Sequence, residues 1–354
     1  MSYPVIHIVK RFGRVGGMES YVWHLVHGLV HNGIEIVVVC EQVLEPPEDG
    51  VLILQVDAAP ERPRWKSMMT FQTRVEQKIR DRFQGQLVLV HSHERSICHQ
   101  VTTFHGPPIE PSSGFRWFSR FNRRLTAWQK MERAELVSPH VQMILPVSSQ
   151  IRTHLMCRYP EIGSCKVELA WPGVIPPIVA APEKPREQAI GVKFAFVGRE
   201  WKRKGLDIAV LVVKEIRKTY PGSTLEVFGV KRERLPRWMT QYQWMITKGW
   251  ISEIPWSDID LLLHPARSEP FGMVVPEARS YGIPVVMSSQ VGAIDLEFSE
   301  TEAVDVNAPL ANWCASVRTL VGEARRIPEV KWTWEQLVNQ HIEIIYPRLK
   351  PVIP

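Results

Sequence analysis

A chain of 354 residues exceeds one ordinary domain and predicts two. With 45% hydrophobic and 23% charged residues it can bury a core, which excludes a disordered, collagen-like or disulfide-stapled protein. No apolar run nears the roughly 20 residues that span a bilayer, and the formal charge of +6 favours anionic partners: nucleic acid, phosphorylated metabolites or an acidic membrane surface.

Val5-Ile6-His7-Ile8-Val9 is a short β-favouring run and predicts a buried strand. Lys10-Arg11 follow it rather than precede it, unlike the order in a secretory leader. A glycine loop at 13–17 leads into a helix from Met18 to His31, with Tyr21, Val22, Leu25 and Leu29 on one face. Asn32-Gly33 ends that helix, and Ile34 to Cys40 reads as the next strand, completing a βαβ unit. Leu87 to His91, Gln100 to Phe104 and Met143 to Val147 are further strands, with a long polar-aromatic helix from Gly114 to Val137 before the last. Val167 to Ala170 runs into Trp171 and closes the unit, and the proline-rich stretch after it, Ile175 to Pro185, reads as a linker.

Beyond the linker the alternation restarts. Strands are predicted from Lys193 to Val197, Thr224 to Phe228, Ile259 to His264 and Pro284 to Met287, with helices from Leu206 to Lys218 and from about Val275 to Tyr281. Such alternation implies parallel sheets with right-handed crossovers, hence two Rossmann-like α/β domains facing a cleft, over 1–175 and 176–330. Trp332 to Tyr346, within 331–354, is a final amphipathic helix. Five cysteines, an odd number with no CxxC spacing, read as reduced thiols of a cytoplasmic protein without structural zinc.

Four segments carry chemistry, and all favour an anionic, hydroxyl-rich ligand. Gly16-Gly17, between the first strand and helix, allows close backbone approach, and the helix amino end offers unpaired N–H groups; the spacing is not GxGxxG, and a plain tight turn is the alternative. Gly198-Arg199-Glu200-Trp201-Lys202-Arg203-Lys204-Gly205 follows a strand where open α/β sheets bind ligands. Arg199 and Lys204 there can neutralise a diphosphate, unless this is only a solvated basic loop. In the third segment Glu269 precedes a helix that holds Glu277, and the N–H groups of Phe271, Gly272, Met273 and Val274 form its amino end. The two carboxylates suit vicinal sugar hydroxyls, or else a hydrolytic acid/base pair. Fourth, His105 ends a strand before Gly106-Pro107, a place for a functional imidazole. His91-Ser92-His93-Glu94 is superficially metal-like, but its polar run predicts that the strand has already ended, so no metal site is assigned.

These motifs, in this order and over nearly the whole chain, resemble the retaining glycosyltransferases of family 4 with the GT-B fold. Leu261-Leu262-Leu263-His264-Pro265-Ala266, Gly282-Ile283-Pro284-Val285 and Trp201-Lys202-Arg203-Lys204-Gly205-Leu206-Asp207 are similar to the lipopolysaccharide-core glucosyltransferases. The resemblance implies a C-terminal helix packed back toward the N-terminal domain. It also implies a UDP-sugar donor, UDP-glucose, as substrate rather than cofactor, and a glycolipid or lipopolysaccharide-core acceptor. Arg199 and Lys204 would take the donor diphosphate, Glu277 the ribose hydroxyls and Glu269 the transferred sugar. Gly17 would contact donor phosphate or acceptor, His105 would lie beside the reacting sugar, and the base would lie near Gly229 and Trp250-Ile251. No metal is implied.

Phe115 to Lys130 interleaves Phe115, Trp117, Phe118, Phe121 and Trp128 with Arg116, Arg120, Arg123, Arg124 and Lys130. As a helix it can lie on an anionic inner-membrane leaflet, which predicts a cytoplasmic, peripherally bound enzyme; a core-facing helix with a basic outer side is the alternative. Nucleic acid is not expected as a partner. The rivals are a GT-B-type sugar-nucleotide epimerase and a non-catalytic sugar-nucleotide-binding protein.

Overall fold

The β-branched runs form buried parallel strands in a computed structural model of the protein, which describes residues 3–109, 123–163, 166–175, 191–321, 330 and 332–354. The chain divides into two units, one of residues 1–173 with 334–354, the other of residues 174–333.

In the first unit the strands are β1 (Val5–Ile8), β2 (Ile36–Cys40), β3 (Val51–Gln55), β4 (Leu89–Ser92), β5 (Val101–Phe104) and β6 (Met143–Pro146). They form one parallel sheet of order β3-β2-β1-β4-β5-β6. The order reverses between β1 and β4, the switch point at which doubly wound sheets open for ligands. Helices α1 (Gly17–His31), α2 (Arg64–Arg82), α3 (Arg123–Val137) and α4 (Ser149–Arg158) accompany the strands.

The second unit repeats this plan. Its strands are β7 (Lys193–Val197), β8 (Thr224–Phe228), β9 (Met245–Gly249), β10 (Leu261–His264), β11 (Val285–Ser288) and β12 (Thr301–Val304), in the order β9-β8-β7-β10-β11-β12. Helices α5 (Leu206–Ile216), α6 (Val274–Ser280) and α7 (Leu310–Val321) pack with it. Phe194, Phe196, Val210, Val213, Leu225 and Trp313 belong to one buried apolar cluster, so this sheet is anchored from both sequence halves of the unit.

Helix α8 (Trp334–Gln340) lies in the first unit, against α1. Gly28 marks the crossing: a Cβ there would meet Val338 Cγ2 at 2.4 Å, so only hydrogen leaves room. The predicted helix from Trp332 to Tyr346 is therefore shorter than its pattern. A π turn at His341–Ile345 and a 3₁₀ turn at Tyr346–Arg348 follow α8, because Pro347 cannot continue a helical ladder. Val167 to Ala170 makes only an isolated bridge, Val167 beside Ile144, and the strand read from Ile259 begins at Leu261. Of the helix read from Gly114 to Val137, the described part begins at Arg123; residues 115–122 of the aromatic-basic segment lie outside the described residues. The helices α2, α4 and α7 and the edge strands β3, β9 and β12 were not among the elements predicted from the sequence. Among the described residues, no helix is long and apolar enough to cross a membrane.

Candidate functional site

In the second unit the candidate residues gather where β7 and β10 separate. The turn after β7 enters α5 through Gly205, whose φ of 77° is left-handed and whose Cβ would stand 1.9 Å from the Pro265 carbonyl oxygen. A side chain is excluded there twice, by conformation and by contact, so the loop after β7 is pressed onto the loop after β10. Arg267 ties the same two loops: its backbone N–H donates to Arg203 O at 2.7 Å, and its guanidinium pairs with Asp207 at 2.6 Å.

This clamp holds Lys204 against Glu269, with Nζ to Oε2 at 3.1 Å. Arg203 Nη1 reaches the same carboxylate oxygen at 3.1 Å and donates to Ser268 O at 2.6 Å. Sequence reasoning named Lys204 and passed over Arg203, although it is the adjacent cation in the same motif. Burial by itself would raise the Glu269 carboxyl; the His264 ring, Lys204 and Arg203 outweigh it and hold Glu269 well below the usual carboxylate range. His264 Nε2 is 3.8 Å from Glu269, an electrostatic neighbour rather than a hydrogen-bond donor. Burial pushes that imidazole below the ordinary histidine value, against the pull of the Glu269 carboxylate.

The Glu269 N–H donates to Gln290 O, its carbonyl accepts from Gly292 N–H, and Phe271 O accepts from Ala293 N–H at 2.7 Å, which straps this loop to the one after β11. Phe271 is buried, Gly272 has φ 91° with its Cβ position 3.2 Å from Glu269 Cγ, and Met273 caps α6 before Val274. Glu277 lies in that helix with its side chain open to water on one side. Desolvation by the surrounding chain raises its carboxyl, against the pull of the Lys204 ammonium.

The remaining predicted residues are spread further. Arg199 is exposed beyond β7, with no ion-pair partner among the described residues. Gly229 ends β8, donates to Gly249 O at 2.6 Å and lies against the Gly198 backbone. Trp250, 66% exposed, and half-buried Ile251 follow β9 directly. Asp260 accepts from the Lys193 N–H at 2.9 Å and closes the entry to β7.

In the first unit Gly16 caps α1 in an extended conformation, and Gly17 is its first residue. The buried Glu19 carboxylate folds back onto Gly16 and pairs with Arg11, a contact the sequence reading did not anticipate. An acid in the first turn already satisfies the helix dipole, so this amino end is less suited to a phosphate than its glycines suggest. His105 follows β5 and opens onto a cavity of about 240 Å³ that is lined also by Met18, Glu94, Arg95, Trp128 and Glu135. Burial lowers His105 to about 3 and raises half-buried Glu94 to about 7. Trp128 is thus turned toward the cavity, while Arg123, Arg124 and Lys130 on the same helix are exposed.

One expectation is corrected here. The strand read as ending at His91 runs one residue further, to Ser92 beside Ile8 of β1, and His93 lies just past its end. His7, His91 and His93 are buried together with ring nitrogens within 4.8 Å of one another.

Comparison with known proteins follows the two units. The family model described as Glycosyltransferase Family 4 matches residues 15–176, and that described as Glycosyl transferases group 1 matches residues 181–303. Glycogen synthase of Mycobacterium tuberculosis is 27% identical over 147 residues, 36% of this chain and 33% of the relative. The matched curated relatives are covered over 33–47% of their lengths. Among solved structures, WaaG, a glycosyltransferase involved in lipopolysaccharide biosynthesis, aligns with a TM-score of 0.74 at 14% identity, covering 97% of this chain and 96% of its own. HepE of Anabaena, solved in complex with UDP and glucose, aligns with a TM-score of 0.66 at 13% identity, covering 97% and 99%. These likenesses extend over both units and show the GT-B fold.

Proposed function

The chain belongs to the GT-B glycosyltransferases of family 4, and from that premise we propose that it transfers glucose, with retention, from UDP-glucose to a sugar of a lipopolysaccharide core or related glycolipid. The observation that carries this reading is the Lys204–Glu269–Arg203 cluster at the opening of the second sheet. As the C1–O bond breaks, its electron pair leaves with UDP, and a preset cation beside the diphosphate stabilises that charge without reorganisation. Lys204 takes this role, aided by Arg199, which is exposed and able to swing to the phosphates. Glu269, held ionised by Lys204 and Arg203, accepts from hydroxyls of the transferred sugar. Glu277 accepts from the ribose, and the base lies along Gly229 and Trp250. His105, uncharged, adds no repulsion to the positive charge that develops at the anomeric carbon.

The donor assignment is favoured by the relative solved with UDP and glucose, the acceptor by the lipopolysaccharide enzyme of the same fold. We place the enzyme on the cytoplasmic leaflet, with Arg123, Arg124 and Lys130 toward anionic lipid and with no metal in the transfer step. Incubation with labelled UDP-glucose, with and without a core-oligosaccharide acceptor, tests the reading. Label should pass to the acceptor, with slow UDP release in its absence. Recovery of an epimerised nucleotide sugar without transfer would overturn it.

A further inference from the structure

A row of side chains runs through the first unit behind His105. Its Nε2 lies 3.3 Å from His93 Nδ1, and His93 Nε2 lies 3.0 Å from His7 Nδ1. His7 Nε2 lies 3.4 Å from the Tyr346 hydroxyl, which lies 3.0 Å from His91 Nδ1; His91 Nε2 ends the row 2.8 Å from Thr103 Oγ1. Every internal imidazole uses both nitrogens within the row. A neutral imidazole has one donor and one acceptor, and among the described residues the Tyr346 hydroxyl proton meets an acceptor only inside the row, so every proton is used only if all the bonds point the same way. Either Thr103 donates first and each ring carries its proton on Nδ1, or His105 donates first and each carries it on Nε2.

We propose that these six groups are one hydrogen-bonded relay that holds His105 uncharged and fixes which of its ring nitrogens bears the proton, with His93, His7 and Tyr346 as its positioning residues. The relevance to catalysis rests on the placement of His105 beside the transferred sugar. Tyr346 comes from the C-terminal segment, so the return of that segment to the first unit completes the row. Burial lowers His7 and His105 to about 3, and drives His91 and His93 well below the ordinary histidine value, which keeps each ring a donor-acceptor pair. The charged groups on the cavity at the His105 end are Glu94, Arg95 and Glu135.

A shared metal ion is the competing use of His7, His91 and His93. The ring geometry disfavours it. The His7 and His93 centres are 5.3 Å apart with planes 12° from parallel, while the facing nitrogens are 3.0 Å apart. The centres are therefore separated by the N···N gap plus both ring radii, which sets the rings end to end in nearly one plane. Their nitrogens point at each other, as in a linear N–H···N bond, and not at a third point between three ligands.

The test uses full-length protein labelled with ¹⁵N-histidine, and the variant Tyr346→Phe, which deletes one hydroxyl and keeps the ring. In the wild type, His7, His91, His93 and His105 should each show a single neutral tautomer from about pH 6.5 to 8. In Tyr346→Phe the His105 ring signals should move toward a tautomer mixture, although the deleted hydroxyl is three hydrogen bonds away. Turnover should fall about tenfold at unchanged acceptor KM, the pattern of a group acting in the transition state. His105 signals that stay fixed while those of His7 and His91 shift would overturn the relay. So would a rise in Tm with added Zn²⁺ accompanied by changes in the His7, His91 and His93 signals. Tautomer coupling in a protein that transfers no sugar would support the relay while removing the proposed function, so the two fail separately.

Discussion

The two units share one strand order yet surround their sheet openings with opposite chemistry. Around β7 and β10 the groups are ionic, Lys204 and Arg203 on Glu269. Around β1 and β4 the centre is a set of neutral imidazoles, and the amino end of α1 already holds the Glu19 carboxylate. A diphosphate is attracted to the first arrangement and gains little from the second. A neutral, hydroxyl-rich acceptor suits the second. The contrast shows that a repeated fold does not imply a repeated ligand, since function lies in the side chains placed at the strand ends.

The largest expected difference between the units is their response to acid. His7, His91, His93 and His341 are almost wholly buried, and burial lowers all four. Below about pH 6.5 the unfolded chain binds protons that these native rings refuse. Stability is therefore fully present above that pH and falls as pH drops, by up to about 1.4 kcal/mol per histidine per pH unit. The second unit holds a single histidine, His264. Amide exchange compared at pH 7 and 5 should show β1, β4 and β5 losing protection by several kcal/mol while β7, β8 and β10 keep theirs. Uniform loss across both sheets would break the contrast.

Next in size is Gly205→Ala. A left-handed φ of 77° and the Pro265 carbonyl 1.9 Å from the added carbon combine backbone strain with a clash that only main-chain movement relieves. A loss of about 3 kcal/mol or more is expected in urea unfolding. Lys204→Ala follows: the fold should survive while kcat falls about 10²-fold at saturating UDP-glucose, since the charge that meets the leaving diphosphate is gone. Near-unchanged turnover would separate Lys204 from the donor and erase the ionic half of the comparison.

The same contrast shows what the sequence made legible. Val5 to Val9, Leu206 to Ile216 and Leu261 to His264 carry strong periodicity, and glycines mark the turns between them, so both sheets and the positions of Lys204, Glu269 and Glu277 could be read directly. The clamp could not. Arg203 meets Glu269 across 66 residues, and Tyr346 meets His7 across 339, separations at which spacing carries no information. One signal was available and points to the histidine row: His7 is a polar residue in the middle of an apolar strand, and His91 and His93 share the two-residue period of a strand face. The strand was read as ending at His91, one residue short of Ser92, and its end there hid that His93, just beyond, still meets the ring of His7. The edge strand β9, MITKG, was missed because a half-exposed edge lacks the continuous apolar runs of the central strands, whereas β3 does carry such a run, Val51 to Leu54, and it was passed over.

The smallest expected effect is the sharpest test of the comparison, because Gly16 stands in the first unit where Gly205 stands in the second, at the cap of the helix after the first strand. Gly16 has φ −168°, extended backbone that any residue adopts. An added Cβ would meet only Glu19 Oε2, at 2.5 Å, the free end of a side chain that can rotate away. Rotation would give up the Glu19 contact with Arg11, whose own side chain is 47% exposed. Glu19 is buried but its partner reaches water, so the pair is worth about 1 kcal/mol rather than the several of a pair buried on both sides. Gly16→Ala should therefore cost no more than about 1 kcal/mol in the urea assay that registers Gly205→Ala. If the two substitutions cost the same, Glu19 cannot leave its place, and the amino end of α1 is closed to a ligand as firmly as the turn at Gly205 is closed to a side chain.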